Sequence, residues 1–248
     1  EEYWKLEITE EKNTEEYFVK KLENILGDSV KQRMISDAPL GAFLSGGLDS
    51  SVMVALMSKN SVNSIRTFTT GFGHELDEFK EAKIVSEHCS TDHTEINLTY
   101  DELTESLPTI LWHMEFPFGR PSILSNFLAS KEIKKYVTVA FTGEGSDECF
   151  GGYNRYIPFV KNDSKISELS NSISSGFFKD EKSVKKIFNE KILNEFNGKN
   201  HPSQIGKTIF NENIKSGNLN KILKHELKTE IPGAQTWRID RMGSAHAV

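Results

Sequence analysis

The sequence predicts an α/β protein built on a doubly wound parallel sheet. Short apolar runs of strand length alternate with longer segments of helical period over residues 1–158. Turn residues separate the runs from the helical segments. Two glycine-acidic stretches, SGGLDSS at 45–51 and GEGSDE at 143–148, follow directly on two of the runs. Parallel sheets hold ligands at the carboxyl ends of their strands, so both stretches are expected at one edge of the sheet.

The first element is a helix over 14–36. Phe18, Leu22, Ile25, Leu26, Val30 and Met34 recur at helical spacing and form a stripe expected to face a core. Asn13 or Thr14 is placed to cap it. Residues 42–44 read as a short buried strand closed by Gly46 and Gly47. A helix then starts near Asp49, with Leu48, Val52, Ala55 and Leu56 on its stripe. Strands follow at 64–72 (SIRTFTTGF), 93–98 (HTEINL) and 137–142 (VTVAFT). Helices are expected between them at about 77–89, 100–113 and 122–135, the last two parted by the Pro-rich EFPFGRPS. After 158 the composition turns to Lys, Asn and Ser. Residues 159–248 are expected to be a mostly helical continuation, with SVKKIFNEKILNEF as a helical stretch and NSISSG and NGKNHPSQ as linkers. No internal repeat is present.

Bulk properties exclude several classes. A net charge of −6 over 248 residues argues against a general nucleic-acid binder, which needs a basic surface to neutralise phosphates. Cys89 and Cys149 are far apart and form no CxxC pair, which fits a reducing, cytoplasmic setting. His88 and His93 flank Cys89 at a spacing that matches no common zinc pattern. No apolar run approaches the roughly 18 residues of a membrane span. The start, EEYWKLEITEEKN, has no signal core and no initiator Met, and both ends are expected to continue in a longer protein.

The chemistry concentrates in the two loops. In SGGLDSS, glycines let backbone N–H groups approach an anion, and the following helix directs its positive end into the same space. Ser45, Ser50 and Ser51 add hydroxyls. Asp49 would repel a phosphate unless it merely caps the helix or a cation such as Mg²⁺ sits between the two. In GEGSDE, Glu144, Asp147 and Glu148 crowd one turn. Such carboxylates repel each other unless a cation or proton intervenes, so one could ligate Mg²⁺ and another act as a base. SGGLDSS matches neither G-x-x-x-x-G-K-[ST] nor G-x-G-x-x-G.

SGGLDSS is similar to the pyrophosphate-binding loop of the N-type ATP pyrophosphatases, the adenine nucleotide alpha-hydrolase-like (PP-loop) fold. The longer pattern resembles the synthetase domain of glutamine-hydrolysing asparagine synthetases. It runs through Tyr3-Trp4, DAPLGAFLSGGLDSS, FTTGF, DEFKEA, TDHTE, EFPFGRPS and GEGSDECFGGYNRY, and resumes at ELKTEIP and IDRMGSAHAV. The resemblance is weakest over about 159–224.

The resemblance implies an ATP-dependent, AMP-forming ligase that makes asparagine through a β-aspartyl-adenylate. Ser45, Gly46, Gly47, Ser50 and Ser51 would hold the β- and γ-phosphates, and Asp49 and Asp147 would bind Mg²⁺. Leu44, Thr70, Thr142 and Gly143 match backbone contacts to the adenosine. Glu144 matches the carboxylate that takes a proton from attacking ammonia, where the related β-lactam synthetases carry Tyr. The implied partners are ATP, aspartate or another acid, and ammonia, with neither nucleic acid nor membrane and with a homodimer left open. The family's glutaminase domain, which releases ammonia from glutamine, is missing from this chain. Three other readings stay open: a related amidotransferase acting on a sugar, peptide or antibiotic precursor, a tRNA-modifying enzyme with the same loop, and a non-catalytic nucleotide-binding domain.

Overall fold

The computed structural model describes residues 3–115, 120–160, 186, 189–192 and 217–248. The stretches NSISSG and NGKNHPSQ lie outside the described residues, as does most of SVKKIFNEKILNEF. Two compact units divide the chain. The sheet unit comprises Lys12–Glu144 and Thr236–Val248, and the helical unit Glu1–Glu11 and Gly145–Gln235.

In the sheet unit, helix α1 spans Glu15–Arg33 and is capped by the Thr14 side chain, which accepts from the Tyr17 amide. Strand β1 (Leu40–Phe43) leads to α2 (Leu48–Lys59), β2 (Arg66–Gly71), α3 (Phe79–Cys89) and β3 (Asp92–Asn97). Helix α4 (Tyr100–Met114) begins with a capping box in which Thr99 and Glu102 exchange side-chain and backbone bonds. Helix α5 (Ser122–Ile133) and strand β4 (Val139–Phe141) follow.

All four strands are parallel, in the order β3-β2-β1-β4. The chain therefore runs outward from β1 to β3, then returns to the other side of β1 to lay down β4. The β1–β4 junction is the topological switch point, where crevices open beyond the carboxyl ends of the strands. Alternation along β1 and β2 feeds two apolar layers. Phe68 joins Ile96, Ile110, Met114, Phe127 and Ile133 on one face. Ala42 and Leu44 join Val54, Met57 and Ala82 on the other. The doubly wound expectation holds.

One expectation is corrected. The stripe of α1 is not a buried face: Phe18, Leu22 and Ile25 stand 39%, 40% and 56% exposed. Only Val30 and the following Met34 reach the apolar layer. Helical spacing specifies a stripe, but not how much of it a neighbour covers.

In the helical unit, α6 (Ser146–Phe150) lies between Gly145 and Gly151, both in the left-handed region at φ +93° and +74°. A 3₁₀ turn at Asn154–Tyr156 runs into α7 (Ile157–Val160), and α8 (Asn218–Lys228) precedes a π-helical turn at Ile231–Gln235. Tyr156 and Ile222 form its small apolar centre. Helix α9 (Thr236–Ser244) belongs to the sheet unit, where Met242 enters the layer of Phe68 and Phe127.

Candidate active site

The loop after β1 is shaped by its own sequence. Gly46 adopts φ +78°, and a Cβ there would lie 2.4 Å from Glu81 of α3. Both the left-handed backbone and the close approach require glycine. Gly47 is the cap residue of α2, and no side-chain bond caps the helix. Asp49 is therefore not the cap. It sits in the first turn of α2, where the helix dipole favours a carboxylate.

The loop hydroxyls knit the loop together. The Gly47 carbonyl accepts from the Ser51 amide at 3.0 Å, the Ser51 hydroxyl at 2.6 Å and the Ser50 hydroxyl at 3.2 Å. Ser45 Oγ lies 2.9 Å from Ser50 Oγ and accepts from the Gly47 amide at 3.2 Å. Leu44 is buried and extends the sheet, donating its amide to the Phe68 carbonyl at 2.8 Å. Thr70 sits next to last in β2, opposite Ile96.

The loop after β4 meets the same helix. A Cβ on Gly143 would lie 3.1 Å from the Ser50 amide nitrogen and 3.3 Å from Asp49 Cβ, so this turn packs on the first turn of α2. Thr142 Oγ1 accepts from the Glu144 amide at 3.3 Å. Within the sheet unit, the expected meeting of the two glycine loops therefore occurs through Gly143.

Glu144 has a partner that sequence reasoning missed. Its side chain is 36% exposed and pairs with Arg238 Nη2 of α9 at 2.9 Å, while Arg238 itself is only 4% exposed. Arg238 Nη1 donates to Ser122 Oγ at 2.5 Å. With the Asn126 amide turned so that its oxygen faces the guanidinium, Arg238 Nε donates to it at 3.3 Å. A buried guanidinium needs such a set of acceptors, and its planar fork holds the carboxylate in one place. A usable signal existed: Arg238 falls four residues before Met242, on the buried stripe of α9.

The remaining carboxylates lie in the helical unit. Asp147 is in the first turn of α6, and its Oδ1 approaches Gly152 so closely that a Cβ there would be 1.9 Å away. Glu148 is a structural group. It is buried, and its Oε1 accepts from Tyr153 Oη at 2.7 Å and Gln235 Nε2 at 2.8 Å. Among the described residues, no cluster of three or more His, Cys, Asp or Glu is placed to hold a metal ion. None of the described helices is long and apolar enough to cross a membrane.

A parallel sheet with two glycine-acidic loops after the strands at its switch point defines an α/β protein of the PP-loop ATP pyrophosphatase fold. The chain belongs to the asparagine synthase family, whose model matches residues 21–248. It is 28% identical over 276 residues to asparagine synthetase (glutamine-hydrolysing) 1 of Bacillus subtilis, covering 99% of this chain and 43% of that protein. It is 34% identical over 149 residues to asparagine synthetase B (glutamine-hydrolysing) of Escherichia coli, covering 53% of this chain and 26% of that protein. The chain thus spans less than half the length of these relatives. The solved structure of an NMN synthetase from Francisella tularensis aligns at TM-score 0.40 and 14% identity over 88% of this chain and 96% of its own, too loosely to carry an argument.

Proposed function

We propose that this chain is the synthetase part of an ATP-dependent amide ligase that forms asparagine from aspartate and ammonia. One observation supports it most: Glu144 stands on a turn packed against the first turn of α2 and is held there by a buried arginine. A carboxylate beside a glycine loop supports this reading, because amide formation after adenylation requires a proton acceptor.

In this reading, residues 45–47 and the start of α2 hold the β- and γ-phosphates through backbone N–H groups and the helix dipole. Ser45, Ser50 and Ser51 add hydroxyls. Leu44, Thr70, Thr142 and Gly143 line the adenosine. The aspartate β-carboxylate attacks the α-phosphorus, the bond to the bridging oxygen breaks, and pyrophosphate leaves. Ammonia then attacks the acyl carbon, AMP departs, and Glu144 takes the proton. Asp49 and Asp147 are oxygen donors of the type that suits Mg²⁺. When bound, Mg²⁺ would neutralise charge building on the pyrophosphate. In the whole protein, ammonia would come from glutamine split by a glutaminase domain.

Pyrophosphate release by the full-length protein, with ATP, Mg²⁺, ammonia and a panel of acids, tests the reading. Aspartate-dependent release is expected. Turnover with a sugar, peptide or antibiotic precursor and none with aspartate would replace it with the related-amidotransferase reading. Glu144→Gln is expected to keep aspartate-dependent adenylation while amide formation falls about 10²- to 10⁴-fold. Equal loss of both steps would remove Glu144 from the role of base.

A further inference from the structure

Thr67 and Thr69 project from one face of β2, two residues apart, and both are buried. They share that face with Ala42 and Leu44 of an apolar layer, and Thr67 Oγ1 also lies 2.8 Å from Thr91 Oγ1, so the buried hydroxyls are partnered where an unpaired one would be costly. The Thr69 hydroxyl donates to the Leu44 carbonyl. Leu44 is the last residue of β1 pairing, since its amide still donates to Phe68. The ladder therefore ends on a side-chain bond, at the point where the chain enters Ser45, Gly46 and Gly47.

His93 of β3 stands behind this contact. Its Nδ1 lies 3.0 Å from Thr67 Oγ1, and its Nε2 lies 3.5 Å from Thr69 Oγ1. Thr69 has one hydroxyl proton, and a carbonyl cannot return one, so toward the ring Thr69 can only accept. Burial holds His93 below the usual imidazole range, which favours the neutral ring.

We infer that Thr69 is a positioning residue for the 45–47 loop: braced by His93, its hydroxyl clamps the Leu44 carbonyl and sets the direction in which the glycines leave the sheet. Two consecutive glycines cannot hold that direction themselves, because they have the widest backbone freedom. The consequence for nucleotide affinity rests on the ATP reading of the loop, whereas the clamp can be measured without nucleotide.

The test uses the full-length protein and three variants: Thr69→Val, which keeps the shape and loses the hydroxyl, Thr69→Ser, which keeps the hydroxyl, and His93→Leu. Amide hydrogen exchange at 45–48 is expected to quicken about tenfold in Thr69→Val and to stay near wild type in Thr69→Ser. Exchange in α5 should not change. KM for ATP should rise about tenfold in Thr69→Val with kcat within about twofold, and Thr69→Ser should restore it. Wild-type exchange at 45–48 in Thr69→Val overturns the clamp. If exchange quickens but calorimetry shows no ATP binding to the wild type, the clamp stands and the ATP reading fails. Should Thr69→Val not fold, His93→Leu decides: faster exchange at 45–48 supports the clamp, and unchanged exchange overturns it.

Discussion

Among the described residues, the sheet unit has two broad apolar layers and buries one fully charged side chain, Arg238. The helical unit has Tyr156 and Ile222 at its centre but also buries Glu148, His225 and Glu226. Arg155 lies against the rings of Tyr153 and Tyr156, at 4.1 and 5.2 Å from their centroids, and pairs with Glu226 at 3.2 Å. Apolar layers depend little on pH. Buried ionisable groups make stability a function of proton concentration. The sheet unit should therefore fail by steric change, and the helical unit by titration.

A steric pair of variants tests the first half. Gly46 and Gly73 share nearly the same backbone angle, φ +78° and +80°, but a Cβ at Gly46 meets Glu81 at 2.4 Å while one at Gly73 meets nothing within 4 Å. Gly73→Ala should cost about 1 kcal/mol, the price of a side chain in the left-handed region. Gly46→Ala should cost about 4 kcal/mol, because α3 must also shift. Equal losses in urea denaturation would mean that α3 does not constrain the loop.

Titration tests the second half. Burial raises the Glu226 carboxyl to about 7, against 4.5 normally, while Arg155 opposes the shift. With the folded value above the unfolded one, its contribution is present below pH 4.5 and is lost as pH rises through 7. Burial lowers His225, and its contribution runs the other way, present above its unfolded value of 6.5 and lost as pH falls. In the wild type the two slopes oppose each other. Glu226→Gln should remove the first alone. The stability of the variant relative to wild type should then rise by on the order of 3 kcal/mol between pH 4.5 and 7. Exchange of α8 amides measures this, with α5 amides as the control. A constant difference across that range would show that Glu226 does not titrate there.

The last test concerns the network around Glu148. Tyr153→Phe removes the 2.7 Å bond and leaves Gln235 in place. It should cost about 1–2 kcal/mol in α8 protection and nothing in α5. A matching loss in α5 would show that the two units do not open separately.

Much of the sheet unit was legible because its signals are local. Alternation, the Thr14 cap, and the glycines at 46 and 47 act within a few residues. Glu148 was not legible. In sequence it is one of three similar acids in GEGSDE, and only its burial beside Tyr153 and Gln235 separates it from Glu144. The stripe of α1 failed for the complementary reason, since its periodicity is real but its cover is incomplete.

From residues alone came the parallel α/β class, the glycine loop after β1, and an acidic turn at 143–148 in which one carboxylate could act as a base; the family resemblance singled out Glu144. The first three follow from periodicity and from the few residue types that certain backbone angles and anions accept. Three-dimensional packing decided that Arg238 holds Glu144, that Thr69 and His93 brace the loop's exit, and that α9 returns to the sheet unit. Those contacts join residues tens of positions apart. Burial against a distant element has no signature in the spacing of either partner.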